Sequence, residues 1–309
     1  MPLPEPMQIA STHSLYSCAA HDEVLTQWEC VKHEDGPLEL DLSRITFFDP
    51  FGIVALTLFL NHLPEHAYPI RFKMDGFPLR NGEKTPEHGP VSYLTRMGFW
   101  EEVGEKIDLC GGKLPIRPQW SEDKNVLIDV TILHSRDAVN VMLRKTGEIL
   151  QSLGFTPIGR GHVMEVLSEL SSNVLDHAQS EFGGVVSTQT YRSRKTGTRY
   201  LVMSIGDAGV GVRRSLGNNG ALADRLSSDA QAIGVAVQMG ASRFASGGRG
   251  GGLPRVLEIA RRYDGRVAFR SGTGALAYRG EDDQKRFFDT VSQVGTQLRI
   301  MLPENRLVG

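Results

Sequence analysis

Apolar and polar residues follow different patterns in the two parts of the chain. In the first part, residues 38–47 alternate as a strand does, 52–63 has the length and apolar face of a helix, and 68–74 is again strand-like. This order of strand, helix and strand predicts an α/β domain in which helices cover a sheet.

The second part contains a longer series of helical and strand-like segments. A strand-like segment at 125–133 precedes two helical ones at 135–153 and 159–178. The remaining segments are predicted as strands at 184–191, 198–207, 266–271, 275–280 and 295–303, and as helices at 229–244 and 253–265. We expect an α+β domain with helices on one side of a mixed sheet.

Residues 105–124 mix glycine, proline and charge without periodicity, so we predict a linker between domains at 1–104 and 125–309. The length of 309 residues suits two domains, and 40% hydrophobic with 23% charged residues is typical of a globular protein. The longest apolar run, 51–60, is too short to span a bilayer. With no visible secretory signal, and three cysteines that share no spacing with histidines, we expect a cytoplasmic protein without disulfides, zinc or membrane contact.

Charge is distributed unevenly along the chain. Residues 1–125 contain 11 basic and 19 acidic residues, a net charge of −8, whereas 126–309 contain 23 and 17, a net charge of +6. The second part is therefore the better candidate for binding an anion.

The helix predicted at 159–178 has an unusual polar edge. Glu169 and Asn173 are four residues apart and so lie side by side on a helix, and Asp176 and His177 continue the same edge. Asparagine is unfavourable inside a helix, so its presence needs another explanation. Taken alone, the helix leaves a solvated face and a ligand site equally open. The apolar stripe beside this edge is predicted to face the core and consists of Val163, Val166, Leu167, Leu170 and Val174.

Two glycine clusters favour a ligand site. The first follows a strand-like segment and has the spacing of Asp207, Gly209 and Gly211. The second, at 247–254, leads directly into a predicted helix. Glycines allow the backbone to approach a ligand closely, and free amides at the start of a helix bind anions. Neither cluster is a dinucleotide-binding fingerprint or a Walker A loop.

In order along the chain, the segments ELSSNVLDHA, DAGVG, GRGGGL and GTQLRIMLP resemble the N, G1, G2 and final boxes of the GHKL superfamily of ATP-binding proteins. This superfamily includes DNA gyrase, MutL, histidine kinases and anti-sigma-factor kinases. The resemblance covers about residues 125–303 and implies an α+β GHKL (Bergerat) ATP-binding domain.

The resemblance also implies a role for each matching residue. Asn173 would give its amide oxygen to Mg²⁺, and Glu169 would either polarise water as a general base or hold metal-bound water. Asp207 would accept the adenine amino hydrogen, and Thr296 would lie on the strand behind the base. The glycines would make room for the nucleotide, with Gly209 and Gly211 at the base and Gly248, Gly250 and Gly252 at the triphosphate.

Segment 212–247 would then form a lid over ATP. Its arginines, together with one nearby, are candidates to meet phosphate oxygens, although ordinary surface charge is an equally simple explanation for each. These residues are Arg213, Arg214, Arg243 and Arg249.

The first domain resembles STAS domains, the fold of anti-sigma-factor antagonists. The segment LELDLSRITFFDPFGIVAL, residues 38–56, matches the strand, turn and helix of that family, in which a serine at the turn is phosphorylated. Here Pro50 and Phe51 replace the two serines, so this position cannot accept phosphate. A STAS-like domain of this kind implies binding or regulation, and an unrelated α/β domain with an Asp-Pro turn remains the alternative.

Together, the two resemblances imply a Mg·ATP-binding regulatory protein in bacterial signalling. One hypothesis is an enzyme, either an anti-sigma-type serine/threonine protein kinase or a slow ATPase. The other is a switch in which ATP controls partner binding by the STAS-like domain with little or no turnover. We expect ATP and Mg²⁺ as ligands and a regulatory protein as partner. A homodimer stays open, and nucleic acid is not expected.

Overall fold

The computed structural model describes residues 6–75, 89–109, 113–116, 126–177, 182–193, 196–238 and 252–308. Contacts along the chain divide it into two units. The first unit contains residues 1–124 and 129–131, and the second contains 125–128 and 132–309.

The first unit is built on a parallel sheet. Its strands are β1 (Met7–Ala10), β2 (Leu15–Tyr16), β3 (Leu38–Asp41), β4 (Phe47–Phe48), β5 (Ile70–Lys73) and β6 (Ile107–Leu109). Four of them form a sheet in the order β1-β3-β5-β6, and each pairing in it is parallel. Strands β2 and β4 form a separate parallel pair. Parallel pairing requires crossover connections, which the intervening helices provide.

The helices of this unit include one that is buried on all sides. They are α1 (Cys18–Val31), α2 (Pro50–Asn61), α3 (Pro90–Arg96) and α4 (Phe99–Val103). Helix α2 begins with proline in its first turn, where no backbone amide is needed, and the Asp49 carboxylate accepts a hydrogen bond of 2.7 Å from the Gly52 amide. Phe51 is completely buried. Position 51, for which the sequence resemblance implied a phosphorylated serine in related domains, is therefore a core position here.

Gly52 is the residue of α2 that tolerates no side chain. A Cβ atom at this position would lie 1.9 Å from the carbonyl oxygen of Tyr16, a backbone atom of β2. We expect Gly52→Ala to lower the free energy of unfolding by about 3 kcal/mol or more, because backbone has to move. Urea unfolding of the whole protein measures this loss.

The matched control for this substitution is Gly161→Ala. Gly161 lies within a helix and an added Cβ would meet no atom within 4 Å. Alanine should therefore raise the free energy of unfolding by about 0.5–1 kcal/mol through helix propensity. Equal and small effects of the two substitutions would contradict the close packing of α2 on β2.

The linker prediction is wrong at one point. Residues 107–109, which fall inside the predicted linker at 105–124, form β6 and pair in parallel with β5. The first sheet therefore extends past residue 104. A three-residue strand is too short to show the alternation by which strands are recognised in a sequence.

The second unit is a five-stranded antiparallel sheet packed against helices. Its strands are β7 (Val126–Leu133), β8 (Gly184–Arg192), β9 (Arg199–Asp207), β10 (Arg266–Arg279) and β11 (Gln284–Pro303), in the order β10-β11-β9-β8-β7. The pairings β8–β9, β9–β11 and β10–β11 are antiparallel. The predicted sequence of an α/β part followed by an α+β part is confirmed, but the second sheet is antiparallel where we expected a mixed one. Two of its pairs are joined by short connections, which favours antiparallel hairpins.

The helices of this unit supply its core. They are α5 (Arg136–Ser152), α6 (Pro157–His177), α7 (Gly211–Gly217), α8 (Asp229–Ala236) and α9 (Gly252–Arg262). Apolar side chains of α5, α6 and α9 share one buried cluster with those of the sheet. The apolar stripe predicted on α6 is buried over its whole length, from Val163 to Val174, as expected of a core-facing helix. Among the helices that the structure describes, none has the length and apolar character needed to cross a membrane.

The predicted lid at 212–247 is largely part of the folded domain. Residues 211–238 contain α7, a short 3₁₀ helix and α8. A small buried cluster holds them together and includes Leu216, Leu226 and Ala232. The sequence suggested a long loop because these helices are short and rich in glycine and small residues. The remainder of the predicted lid, from 239 onward, lies outside the described residues.

Candidate functional site

The polar edge of α6 carries side chains that the fold does not use. Glu169 and Asn173 are both partly buried. Neither side chain forms a hydrogen bond or an ion pair with any other residue that the structure describes. Both side chains are therefore available to a ligand.

Close packing places the end of α6 against the strands at the site. A Cβ atom on Gly184 would lie 2.3 Å from a methyl carbon of Val174, the neighbour of Asn173. Gly184 is in turn the β8 partner of Asp207 on β9. The last turns of α6 therefore lie over the strand end where Asp207 is located.

Asp207 ends β9 as a buried acid. Its side chain is about 5% exposed, and its Oδ1 atom accepts a 2.8 Å hydrogen bond from the Gly209 amide. The backbone amide of Thr296, its β11 partner, donates a second hydrogen bond to the carboxylate. Burial raises the pKa of Asp207 to about 6, because desolvation outweighs these two hydrogen bonds. The carboxylate is ionised at neutral pH and can accept a further hydrogen bond.

The glycines around Asp207 are required by close backbone approach. Gly211 has φ +75°, and a Cβ atom there would lie 2.9 Å from the Ser271 hydroxyl. Gly295 has φ +71°, and its Cβ atom would lie 2.0 Å from the carbonyl oxygen of Asp207. Only glycine adopts both conformations without strain. These contacts fix the loop that follows Asp207.

Sequence reasoning missed the contribution of Ser271. Its hydroxyl accepts a 2.9 Å hydrogen bond from the Val212 amide and donates one of 3.0 Å to the Gly295 carbonyl. It also lies 3.4 Å from the hydroxyl of Thr296. A serine followed by a glycine in a strand does not by itself indicate a role at a site. The position of Ser271 opposite Thr296 follows only from the register of β10 on β11.

The start of α9 meets the carboxylate of Glu169. A Cβ atom on Gly252, the first residue of α9, would lie 2.4 Å from Glu169 Oε2. The structure thus brings together one residue from the predicted helix edge and one from the second glycine cluster. A two-bond ion pair between Arg255 and Glu165, with distances of 2.7 and 3.1 Å, also joins the two helices.

Other predicted residues lie elsewhere. Asp176 forms an ion pair of 2.5 Å with Arg136 at the start of α5. Its side chain therefore joins the flank of α6 to α5. Of the predicted triphosphate glycines, Gly248 and Gly250 lie outside the described residues, as do Arg243 and Arg249.

Helix α6 therefore meets two segments that are far from it in the sequence, the start of α9 and the strand end that holds Asp207. The three segments supply a free amide and carboxylate from α6, a buried ionised acid at the end of β9, and the first turn of a helix. No cluster of three histidine, cysteine or acidic side chains exists among the described residues. A donor set with one amide oxygen suits Mg²⁺ that is shared with phosphate oxygens, since Mg²⁺ is seldom held by protein groups alone.

No model of a known protein family matches the chain, and no curated protein matches its sequence. Any functional conclusion therefore rests on the fold and on the residues of the site.

Proposed function

We propose that the second unit is a GHKL-type domain that binds Mg·ATP. The observation that carries the proposal is that α6 meets both of the other segments, with Glu169 against Gly252 at the start of α9 and Val174 against Gly184, the β8 partner of Asp207. Glu169, Asp207 and Gly252 each match the motif residue that the resemblance identified. The excess of basic residues after position 125 agrees with an anionic ligand.

Each residue of the site has a place in this proposal. The carboxylate of Asp207 accepts the adenine amino hydrogen, and the glycine backbone beside it leaves room for a flat base. Asn173 offers its amide oxygen to Mg²⁺. The first turn of α9 has free amides and a positive dipole end, which favour phosphate. Thr296 fixes Asp207 through its backbone amide.

Bound Mg·ATP supplies a γ-phosphoryl group for transfer to water or to a protein hydroxyl. Glu169 lies at the start of α9, next to the region proposed for phosphate, and its carboxylate has no other described partner. It is suited to orient and deprotonate the attacking oxygen. The first unit lacks the serine of a STAS phospho-switch, which favours a regulatory protein with its acceptor on another molecule.

A calorimetric titration with ATP tests the proposal. We expect one site for ATP in the presence of Mg²⁺ and weaker binding without it. We also expect a preference for ATP over GTP, because Asp207 accepts a hydrogen from the 6-amino group of adenine, where guanine has a carbonyl oxygen. The absence of any saturable heat with Mg·ATP would exclude this function.

The Glu169→Gln variant separates the enzyme from the binding switch. For an enzyme, we expect unchanged Mg·ATP affinity and a single-turnover rate about 10²–10⁴-fold lower, since glutamine cannot accept a proton. The matched control is Glu165→Gln on the same helix, where the carboxylate is bound by Arg255. If the unmodified protein shows no turnover with candidate partners, the switch is the better description.

A further inference from the structure

A cavity of about 570 Å³ lies beside the loop that follows Asp207. The loop and α7 form one wall through residues 209–217. The other walls are the start of α8 at Asp229 and the facing strand segments 271–272 and 293–295. This volume is within the range of about 300–1,000 Å³ that is typical of small-molecule sites.

The cavity adjoins the proposed nucleotide site and shares part of one loop with it. Glu169, Asn173 and Asp207 do not line it, whereas Gly209 and Gly211, the two glycines after Asp207, do. The cavity therefore shares the glycine loop with the proposed base site but lacks the side chains proposed to bind adenine and Mg²⁺ and to act as the general base.

Two arginines give this cavity a positive lining. Arg213 donates through Nε to the carbonyl of Leu226 at 2.8 Å, which holds the guanidinium in place and leaves its terminal nitrogens without a described partner. Arg214 forms no ion pair with any described residue. Both arginine side chains are exposed, and guanidinium groups favour phosphate and carboxylate oxygens.

The one carboxylate in the lining does not neutralise these arginines. Asp229 accepts hydrogen bonds from both the backbone amide and the hydroxyl of Thr273, at 2.9 and 3.0 Å. It forms no ion pair with either Arg213 or Arg214. The lining contains two arginines and one aspartate whose carboxylate is hydrogen-bonded to Thr273, so its net charge is positive.

A buried acceptor without a partner completes the lining. The Oε1 atom of Gln293 is inaccessible to water and receives no hydrogen bond within the described part of the protein. Leaving such an atom unsatisfied is costly, and rotation of this partly exposed side chain toward the cavity would let a hydroxyl or amide hydrogen of a ligand satisfy it.

We propose that this cavity binds a small anionic molecule of the sugar phosphate type, with its phosphate at Arg213 and Arg214 and a hydroxyl donating to Gln293. The inference goes beyond the proposed ATP function and does not depend on it. The polyhydroxyl body also suits the backbone groups on the strand segments.

Titration of the full-length protein with ribose 5-phosphate tests the proposal, because this probe has phosphate and hydroxyls but no adenine. We expect saturable binding at one site. Arg214→Gln and Gln293→Leu should each weaken it by about tenfold, the effect of losing one hydrogen bond to a charged or buried group. Arg192→Gln is the matched control, because Arg192 is exposed, lacks a described partner and lies outside the cavity.

Further binding measurements distinguish this site from the proposed nucleotide site. Asn173→Ala should leave ribose 5-phosphate affinity unchanged, and neutral ribose should not bind. Affinity for inorganic phosphate equal to that for ribose 5-phosphate would overturn the role of Gln293. The proposal as a whole fails if ribose 5-phosphate does not bind, or if Arg214→Gln and Gln293→Leu bind it as well as Arg192→Gln does. Thermal unfolding of each variant checks that the fold is retained.

Discussion

Replacement of Asp207 by asparagine is expected to make the protein more stable and, at the same time, a weaker binder of ATP. Burial raises the pKa of this acid from its ordinary value of 3.8 to about 6. The folded protein therefore binds a proton between these two values that the unfolded chain releases. Stability contributed by the protonated acid is present below pH 3.8 and is lost as the pH rises through about 6.

The size of the stability change follows from this pKa difference. The folded and unfolded pKa values of Asp207 differ by about two units, so the ionised acid lowers the free energy of unfolding by about 3 kcal/mol at pH 7. Asp207→Asn removes this loss. In the variant, an amide NH₂ group without hydrogen-bond partners replaces one carboxylate oxygen, which offsets part of this effect. We therefore expect the free energy of unfolding to rise by about 1–2 kcal/mol in total. Urea unfolding at pH 4 and pH 7 should show the gain only at the higher pH. A variant less stable than the parent at pH 7 would contradict this account.

The affinity change has the opposite sign. Asparagine can turn an N–H group toward the adenine amino group, so a hydrogen bond to a charged acceptor is lost. We expect ATP affinity to fall by about 10- to 100-fold and the preference for ATP over GTP to disappear. The parent protein should also bind ATP more weakly below about pH 6, where Asp207 is protonated. The variant has no acid at this position, so its ATP affinity should lack the pH dependence that comes from Asp207. Equal affinity of parent and variant would reduce Asp207 to a turn residue.

The Asn173→Ala substitution is expected to abolish the dependence of ATP binding on Mg²⁺. Its side chain has no described partner and lies beside the buried stripe, so alanine should leave the fold intact and favour the helix slightly. We expect Mg·ATP affinity to fall by about 100-fold, to the value measured without metal, because the amide is the proposed protein ligand.

The matched control for this substitution is Ser172→Ala. Ser172 is the preceding polar residue of α6 and is not among the proposed ligands. Calorimetry with and without Mg²⁺ should give parent-like values for this control. If Asn173→Ala keeps the full effect of Mg²⁺, the metal assignment is wrong.

The sequence was most informative where burial is periodic. The stripe on α6 repeats at steps of three and four, and all of its members are buried. Strand β9 and helix α9 were likewise predicted within a few residues of their observed ends. Such elements can be predicted from sequence because one face packs on the core, so apolar residues recur at a fixed spacing.

Elements with little periodic burial escaped prediction. Helix α1 was not predicted, and only four of its residues are buried. Strand β11 begins at Gln284 rather than 295, and the residues from 284 to 289 are exposed on both faces of the hairpin. The pairing of Thr296 with Asp207 depends on register between distant strands, which no local pattern contains.

A backbone amide NMR spectrum of the whole protein, titrated with Mg·ATP, tests the central proposal most directly. The proposed site predicts the largest shifts at the amides of Gly209, Gly211, Gly252 and Thr296 and at the side-chain amide of Asn173. Amides of the parallel sheet at 38–41 and 70–73 should shift least. Shifts confined to the first unit, or none at a concentration of ATP that saturates the calorimetric signal, would contradict a nucleotide site formed by α6, the end of β9 and the start of α9.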